Sequence, residues 1–198
     1  MSFRSVDWNQ QWELFAENFF NGKAHIDLSK FGVAKTLLLL PGPGFGDLSH
    51  PTTYLMLKMM KGRVRDESIV DIGSGSGILS LAALLLGANK AIGIDIDTSA
   101  IKHAKENAKI NNLKAQFSKT LPKNLANEQI FLMNMIFPEQ KSLNPKKLND
   151  FAKLWIVSGI LVEQKKEYLL QANKWGWTPL FEHRKGEWMG WIFDASFR

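Results

Sequence analysis

The sequence predicts an α/β domain in which a mostly parallel sheet carries helices on both faces and an antiparallel hairpin forms the C-terminal part. Three observations support this fold class. Beyond residue 67, apolar strand-like segments alternate with helical segments, as in βαβ units. The glycine-rich motif DIGSGSGIL joins the first of these strands to its helix. Two extended runs separated by Lys185-Gly186 then indicate a terminal hairpin.

Length and composition narrow the class of protein. With 198 residues and a hydrophobic fraction of 45%, the chain suits one globular domain with a substantial core. The absence of cysteine excludes disulfides, cysteine-ligated zinc and thiol catalysis. No Ser-His-Asp arrangement, P-loop or metal-ligand spacing is visible. Because no apolar run could span a bilayer and the start lacks a signal-peptide core, we expect a cytoplasmic protein without a membrane partner.

The net charge of +6 has two interpretations. It could indicate an anionic partner such as RNA, or an assembly that contains RNA. Alternatively, the lysines could simply cover solvated helix faces. The spacing of Lys102, Lys105 and Lys109 places them on one outer helical face, which favours the second interpretation. Direct binding of nucleic acid therefore stays open.

The N-terminal part is predicted to begin with a helix and to end in a loop. One helical apolar stripe comprises Trp8, Trp12, Phe15 and Phe19. Asn21-Gly22 is expected to end this helix. Strand-like segments follow at residues 24–28 and 36–40, and residues 41–50 form a loop rich in glycine and proline.

The rest of the chain alternates between helices and strands. A helix is predicted to start at Pro51, capped by Ser49 or His50, because proline suits the first helical position. Parallel strands are predicted at residues 68–72, 91–96, 115–117, 130–137 and 154–159. Further helices are predicted after the glycine motif up to Gly87, from Thr98, and over residues 161–175.

The glycine motif is the first candidate ligand site. Gly73, Gly75 and Gly77 permit a tight turn and a close approach of the backbone to a ligand. A dinucleotide motif would read G-x-G-x-x-G, whereas here Ile78 occupies the position of the third glycine. The pattern therefore weakens the case for a bound pyrophosphate. A plain strand-to-helix turn fits three alternating glycines poorly, because each glycine costs stability unless its conformation is needed.

Two polar residues at predicted strand ends complete the candidate site. Asp95 lies 22 residues after Gly73, where a carboxylate can accept both hydroxyls of a ribose. Asp97 is the better cap for the next helix, which leaves Asp95 available for a ligand. Asn134 ends the fourth strand and either faces the ligand cleft or satisfies local backbone groups. These residues indicate an adenosine-type ligand without choosing between NAD and S-adenosylmethionine.

Five motifs together resemble a known family. In order they are FGDLSHPTT, DIGSGSGIL, GIDID, FLMNMIF and SGILVEQ. The series resembles the PrmA-type ribosomal-protein methyltransferases, from about Trp8 over nearly the whole remaining chain. The resemblance implies a class I S-adenosylmethionine-dependent methyltransferase with a Rossmann-like, mostly parallel seven-stranded sheet. The family's N-terminal substrate-recognition domain has no counterpart in the matching region, so we expect a catalytic domain alone.

The resemblance also implies a cofactor and its binding residues. The cofactor is S-adenosyl-L-methionine, and the resemblance implies contacts from Thr53, Gly73, Asp95 and Asn134. We expect Asp71, Gly75 and Gly77 of the glycine motif to bind the cofactor as well. Residues 1–50 would form an N-terminal helix and a cofactor-covering loop, and residues 51–198 the methyltransferase part of a single structural domain. Two segments depart from the family pattern. Asp47-Leu48 makes the covering loop bulkier, and residues 135–138 are expected to narrow or reshape the pocket.

The leading hypothesis for function is N-methylation of a protein amine, either a lysine or an N-terminus, with a ribosomal protein as a candidate substrate. Asn134 and His50 are the expected catalytic residues, which would orient the amine, so catalysis would rest on positioning. Methylation of RNA or a small molecule is the alternative enzyme function, and a non-catalytic cofactor-binding module is a third. An NAD-dependent oxidoreductase is disfavoured by Ile78 and by the terminal hairpin.

Overall fold

A computed structural model describes residues 18–46, 50–126 and 128–195. Most of the predicted N-terminal stripe, at Trp8, Trp12 and Phe15, lies outside these residues, as do Ser49 and Asp47-Leu48. Phe19 lies in strand β1 (Phe19–Phe20) instead of the predicted helix. The reason is that Asn21-Gly22 forms a hairpin turn, with φ of 52° and 70°, which returns the chain to pair with the next strand.

The first strands form a small antiparallel sheet in the order β1-β2-β3. Strand β2 (Lys23–Asp27) and strand β3 (Thr36–Leu39) confirm the two predicted strand-like segments. Ala24 and Ile26 on β2 are fully buried, as are Leu37 and Leu39 on β3. The small sheet therefore packs into the same core cluster as the helices on one face of the main sheet.

The main sheet has seven strands in the order β6-β5-β4-β7-β8-β10-β9. Its strands are β4 (Ser68–Ile72), β5 (Lys90–Ile94), β6 (Gln116–Ser118), β7 (Gln129–Asn134), β8 (Ala152–Leu161), β9 (Thr178–Lys185) and β10 (Trp188–Asp194). The five strands from β6 to β8 are parallel, and β10 and β9 add antiparallel strands. This architecture confirms the predicted fold class, including the terminal hairpin.

Five α-helices connect or cover the strands in the described part of the chain. They are α1 (Pro51–Met60), α2 (Ile78–Leu85), α3 (Thr98–Ile110), α4 (Phe137–Leu143) and α5 (Lys165–Lys174). Short 3₁₀ helices lie at Ser29–Phe31, Pro145–Phe151 and Val162–Gln164. The predicted fourth strand was too long: β7 ends at Asn134, because Pro138 favours a helix start and Ile136 is the N-cap of α4. Among the described helices, none is long and apolar enough to cross a membrane.

Alternating side chains of the central strands supply two separate cores, as expected for a sheet covered on both faces. On β7, Ile130 and Leu132 pack with α1, α2 and α3, whereas Phe131 and Met133 point to the opposite core. That second core is rich in aromatic side chains. Trp155, Tyr168, Trp177, Trp191 and Phe193 are all almost completely buried there.

A polar stripe on α3 attaches β3 and the segment after it to the main domain. Asn111 Oδ1 accepts the Leu38 N–H at 2.9 Å, and its Nδ2 donates to the Leu38 carbonyl at 2.6 Å. Asn107 Oδ1 accepts the Leu40 N–H at 2.8 Å, and its Nδ2 donates to the Ser76 carbonyl at 2.9 Å. Asn107 therefore joins the chain after β3 to the glycine motif through one side chain.

Replacing Asn107 tests this attachment. Asn107→Ala leaves the Leu40 N–H and the Ser76 carbonyl without their partners, and should lower the free energy of unfolding by about 2–4 kcal/mol. Denaturant unfolding measures the change. The matched control is Lys105→Ala on the exposed face of the same helix, which should stay within about 0.5 kcal/mol of the unchanged protein. Equal stability of the two variants would contradict the proposed attachment.

Candidate functional site

A cleft of about 930 Å³ opens at the carboxyl ends of β4, β5 and β7. This is where open parallel sheets bind ligands. Five of the predicted site residues line it: His50, Gly73, Gly75, Asp95 and Asn134. Thr53, Asp71 and Gly77 are absent from its lining.

The two glycine-rich stretches of the sequence, residues 41–46 and 73–77, pack against each other, backbone to backbone. The Ser76 N–H donates to the Phe45 carbonyl at 3.0 Å, and Ser76 Oγ donates to the Gly46 carbonyl at 2.8 Å. A Cβ on Gly75 would lie 2.7 Å from the Phe45 oxygen, and a Cβ on Gly44 would overlap the Ser76 nitrogen. Glycine is therefore required on both sides of this contact. Gly44, Phe45, Gly73 and Gly75 all line the same cleft.

His103 supports this contact from α3. Its Nδ1 accepts the Gly44 N–H at 3.2 Å, so a neutral ring carries its proton on Nε2, which lies 2.7 Å from the Leu40 carbonyl oxygen. Burial is the main cause of the lowered pKa of His103, which favours this neutral form. Sequence reasoning missed this role. The available signal was the i, i+4, i+8 spacing of His103, Asn107 and Asn111, which forms one helical stripe.

The three glycines of the DIGSGSGIL motif have different surroundings. Gly73 and Gly75, with φ of 71° and 53°, lie at the cleft wall. Gly77, with φ of 82°, lies beneath it. A Cβ at Gly77 would approach the Phe117 ring at 2.9 Å and the Ala104 side chain at 3.0 Å. Gly77 thus permits close packing below the cleft, and its contact with a ligand stays a prediction.

Asp95 connects the glycine motif to the end of β5. Its Oδ2 accepts the Gly75 N–H at 2.9 Å, and its Oδ1 accepts the Asp97 N–H at 2.9 Å. Asp97 caps α3 as predicted, because its carboxylate accepts the Ser99 N–H at 2.8 Å. Asp95 thus holds two backbone N–H groups in place, and its half-buried side chain also lines the cleft, where its contact with a ligand stays a prediction.

Asp71 lies behind the glycine motif, inside the protein. Its side chain is buried, and Oδ2 accepts the backbone N–H of Ser80 at 3.1 Å and its hydroxyl at 2.8 Å. Burial raises the pKa of Asp71 to about 7, against the lowering effect of the Ser80 hydrogen bonds, and the nearby charge of Asp95 adds to the increase. Asp71 thus fixes the start of α2 to β4 and has no place in the cleft lining.

The start of α1 forms another wall of the cleft. His50 is the N-cap, as one of the two predicted alternatives had it, and its Nδ1 accepts the Thr52 N–H at 3.4 Å. Thr52 lines the cleft, whereas the predicted Thr53 is fully buried next to it. Thr53 Oγ1 has no hydrogen-bond partner among the described residues.

Three aromatic rings meet beside this helix start. The His50 ring lies 5.4 Å from the Phe45 ring and 4.9 Å from the Trp188 ring, edge to face in both pairs. All three line the cleft. Sequence reasoning did not identify Trp188 as a site residue, because it comes from β10 and reaches the cleft only through the tertiary fold.

The end of β7 supplies the remaining polar group. The Asn134 Oδ1 atom is buried at the cleft and has no partner among the described residues. Met135, Ile136 and Pro138 line the cleft next to it, where the sequence predicted a reshaped pocket. Gln140 holds this segment in place, because its Nε2 donates to the Met135 carbonyl at 2.7 Å and to the Ser158 carbonyl at 2.9 Å.

The fold is that of a class I methyltransferase. It combines a seven-stranded sheet, a C-terminal antiparallel hairpin and a cleft at the glycine turn after β4. The chain belongs to the ribosomal protein L11 methyltransferase (PrmA) family, whose family model matches residues 6–195.

Individual relatives agree with this assignment. The chain is 34% identical over 199 residues to the ribosomal protein L11 methyltransferase of Dictyoglomus thermophilum, covering 96% of this chain and 65% of the relative. It is 35% identical over 201 residues to the ribosomal protein L11 methyltransferase of Pseudomonas fluorescens, covering 90% of this chain and 68% of the relative. It thus spans about two thirds of the length of these relatives. The crystal structure of a ribosomal protein L11 methylase from Lactobacillus delbrueckii subsp. bulgaricus superposes with a TM-score of 0.72 at 27% identity, covering 81% of this chain and 86% of that one.

The packing of the two glycine stretches can be tested with a matched pair of variants. Gly75→Ala and Gly62→Ala both place a side chain at positive φ, but only Gly75 faces backbone atoms, since nothing lies within 4 Å at Gly62. Gly75→Ala should therefore lose about 1–3 kcal/mol more of unfolding free energy than Gly62→Ala. Chemical denaturation measures both. Equal losses of unfolding free energy in the two variants would mean that the two stretches are not closely packed at Gly75.

The buried carboxyl group of Asp71 predicts a pH dependence of stability. Its pKa rises from an ordinary value of 3.8 to about 7 in the fold. The protonated form therefore stabilises the protein fully below pH 3.8, and this contribution is lost as the pH rises through about 7. Asp71→Asn removes this titration.

We expect the stability of the unchanged protein, relative to Asp71→Asn, to fall by about 4 kcal/mol between acidic and neutral pH and then to level off. Titrations of His103 and other groups occur in both proteins and cancel in the difference. Denaturant unfolding at a series of pH values gives the curve. A difference that does not change with pH would show that the pKa of Asp71 is the same in the folded and unfolded protein.

Proposed function

We propose that the chain is an S-adenosylmethionine-dependent methyltransferase that methylates an amine of a ribosomal protein. The observation that carries the proposal is the convergence of both glycine stretches, Asp95 and the unpartnered oxygen of Asn134 on one cleft. Membership of the PrmA family supports the same activity. The relatives are named for methylating ribosomal protein L11, which makes that protein the first substrate to test.

The residues of the cleft fit the cofactor. A volume of about 930 Å³ is within the range of small-molecule sites. Gly73 and Gly75 would let the backbone approach the ligand, and the Asp95 carboxylate, which lines the cleft, would accept ribose hydroxyls. Ile94 and Ile96 offer apolar surface beside Asp95, and the Ile96 side chain is 88% exposed. When bound, S-adenosylmethionine supplies an electrophilic methyl group on a sulfonium centre.

The start of α1 would hold the charged end of the cofactor. A helix N-terminus carries partial positive charge from the aligned peptide dipoles, which favours a carboxylate group. α1 has ten residues, and Thr52 lies at the cleft wall. The buried Thr53 hydroxyl, which has no partner among the described residues, is a further candidate donor. The family-derived contact at Thr53 therefore stays a prediction, and its neighbour Thr52, which is also buried, lines the cleft.

The part of the cleft lined by Asn134 and by the aromatic rings beside the start of α1 would receive the acceptor amine. Asn134 Oδ1 can accept a hydrogen bond from the amine and orient its lone pair. Phe45, Trp188 and Ile136 surround this region with apolar surface, which excludes water and lowers the pKa of a buried amine. His50 lines the cleft beside this region and would help to orient the amine, while its Nδ1 caps α1.

We further propose that residues 1–50 and 51–198 belong to a single structural domain, since β2 and β3 bury their apolar side chains in the core shared with α1.

The protein partner would be a ribosomal protein encountered in the cytoplasm. Its amine must reach the cleft past Phe45 and Ile136, each of which is about half exposed.

Cofactor binding is tested by titration calorimetry with S-adenosylmethionine and S-adenosylhomocysteine. Asp95→Asn should weaken binding about 10- to 100-fold, because it replaces a charged acceptor. The control Glu106→Gln removes a carboxylate from the exposed face of α3, outside the cleft lining, and should change affinity less than about threefold. Thermal melting checks that Asp95→Asn still folds. Failure of the unchanged protein to bind either compound contradicts the proposal.

Turnover distinguishes an enzyme from a binding module. Purified ribosomal protein L11 is incubated with S-adenosylmethionine carrying a labelled methyl group, and mass spectrometry locates the label. The proposal expects label on a lysine or N-terminal amine. Cofactor binding without transfer to this protein, while label enters the RNA of a cell extract, would replace the proposed substrate by RNA.

A further inference from the structure

One face of the protein combines cations with exposed aromatic surface. β9 is the edge strand of the main sheet, and its alternate residues Phe181, His183 and Lys185 point to the same side as α1. The Arg63 guanidinium carbon lies 4.8 Å from the centre of the Phe181 ring. The Lys185 Nζ atom lies 3.6 Å from the centre of the Tyr54 ring. Tyr54, Lys58, Arg63, Phe181 and Lys185 are hereafter the basic-aromatic face.

Carboxylates near this face pair with other cations. Across residues 18–46, 50–126 and 128–195, no ion pair involves Lys58, Arg63 or Lys185. By contrast, charged residues next to this face on β9 and its hairpin do form ion pairs. Glu182 pairs with Lys165 at 2.7 Å, and Arg184 lies 3.7 Å from Glu187. A net positive charge therefore remains on the basic-aromatic face.

The electrostatics of His183 agree with this distribution of charge. The pKa of His183 is lowered, first by partial burial and then by the charges of Lys58 and Arg63. Both cations therefore act on the same patch of surface as His183. A bound anion would relieve the repulsion among them.

The aromatic surface indicates which anion fits. Phe181 is 51% exposed, and a guanidinium group already lies against its ring. Exposed aromatic rings next to cations form stacking platforms for the bases of single-stranded nucleic acids. Acidic side chains would pair with the cations but carry no aromatic ring to stack on Phe181. The chemistry of the face therefore favours a nucleic acid.

The basic-aromatic face begins at the rim of the cleft. Lys185 is directly opposite Trp188 in the β9–β10 pairing, and the Trp188 ring contacts His50 at 4.9 Å. Tyr54 and Lys58 follow His50 along α1, about one and two turns further. A strand bound on this face would therefore lie beside the opening that the acceptor must use.

We propose that the basic-aromatic face binds single-stranded RNA, with Lys58, Arg63 and Lys185 contacting phosphates and Phe181 stacking on a base. An acceptor protein presented together with RNA would then be held at two adjacent surfaces, the cleft and this face. RNA binding itself does not require methyl transfer, so each can fail without the other.

The test is fluorescence anisotropy with a fluorescein-labelled oligouridylate of about 12 nucleotides over a range of salt concentrations. The triple variant Lys58→Gln/Arg63→Gln/Lys185→Gln should bind at least about tenfold more weakly and reduce the salt slope by about 2, as expected for three lost phosphate contacts. Phe181→Ala should weaken binding by about 5- to 100-fold with an unchanged slope.

The matched control removes the same charge from the outer face of α3 as Lys102→Gln/Lys105→Gln/Lys109→Gln, and should retain affinity within about threefold. Arg63 also donates to the Met59 and Lys61 carbonyls, so the double variant Lys58→Gln/Lys185→Gln is measured in case the triple variant does not fold. An equal loss in the α3 control, no binding by the unchanged protein, or equal competition by an oligoglutamate of the same length would overturn the proposal.

Discussion

The cleft depends on one contact, the backbone packing of the first glycine stretch against the second. Gly44 and Gly75 leave no space for a side chain between them, and Ser76 joins the two stretches by hydrogen bonds to Phe45 and Gly46. A cleft wall made in this way consists mostly of backbone. Such a wall can approach a ligand more closely than one lined by side chains, and it depends on precise packing below it.

That packing comes from polar side chains as much as from apolar ones. The stripe of His103, Asn107 and Asn111 on α3 satisfies backbone groups of β3 and the segment after it, while Asp71 fixes the start of α2. Buried polar groups without partners are costly, so each of these side chains specifies where the adjoining backbone must lie. Asn134 differs from the α3 stripe, because its buried Oδ1 atom lines the cleft and has no partner among the described residues. An orphaned acceptor inside a cleft is most easily understood as the binding group for a ligand.

Local signals predicted much of the fold and part of the site. Buried apolar runs located the parallel strands, and Asp97 was identified as a helix cap from its position before Thr98. Features that depend on long-range pairing were not predictable: the hairpin at Phe19 and the arrival of Trp188 at the cleft both require distant segments to meet. The sequence also did not show that Thr52 lines the cleft whereas Thr53 does not. Successive helical residues point about 100° apart, so two adjacent side chains face different surroundings.

The central claim is that both glycine stretches enclose one ligand. Hydrogen–deuterium exchange of backbone amides, with and without S-adenosylhomocysteine, tests it most directly. Binding should slow exchange in residues 42–46 and in residues 73–77 together, at the same ligand concentration, because the two stretches form a single wall. Protection confined to residues 73–77, with exchange in residues 42–46 unchanged, would contradict the account and leave the first stretch as a structural loop only.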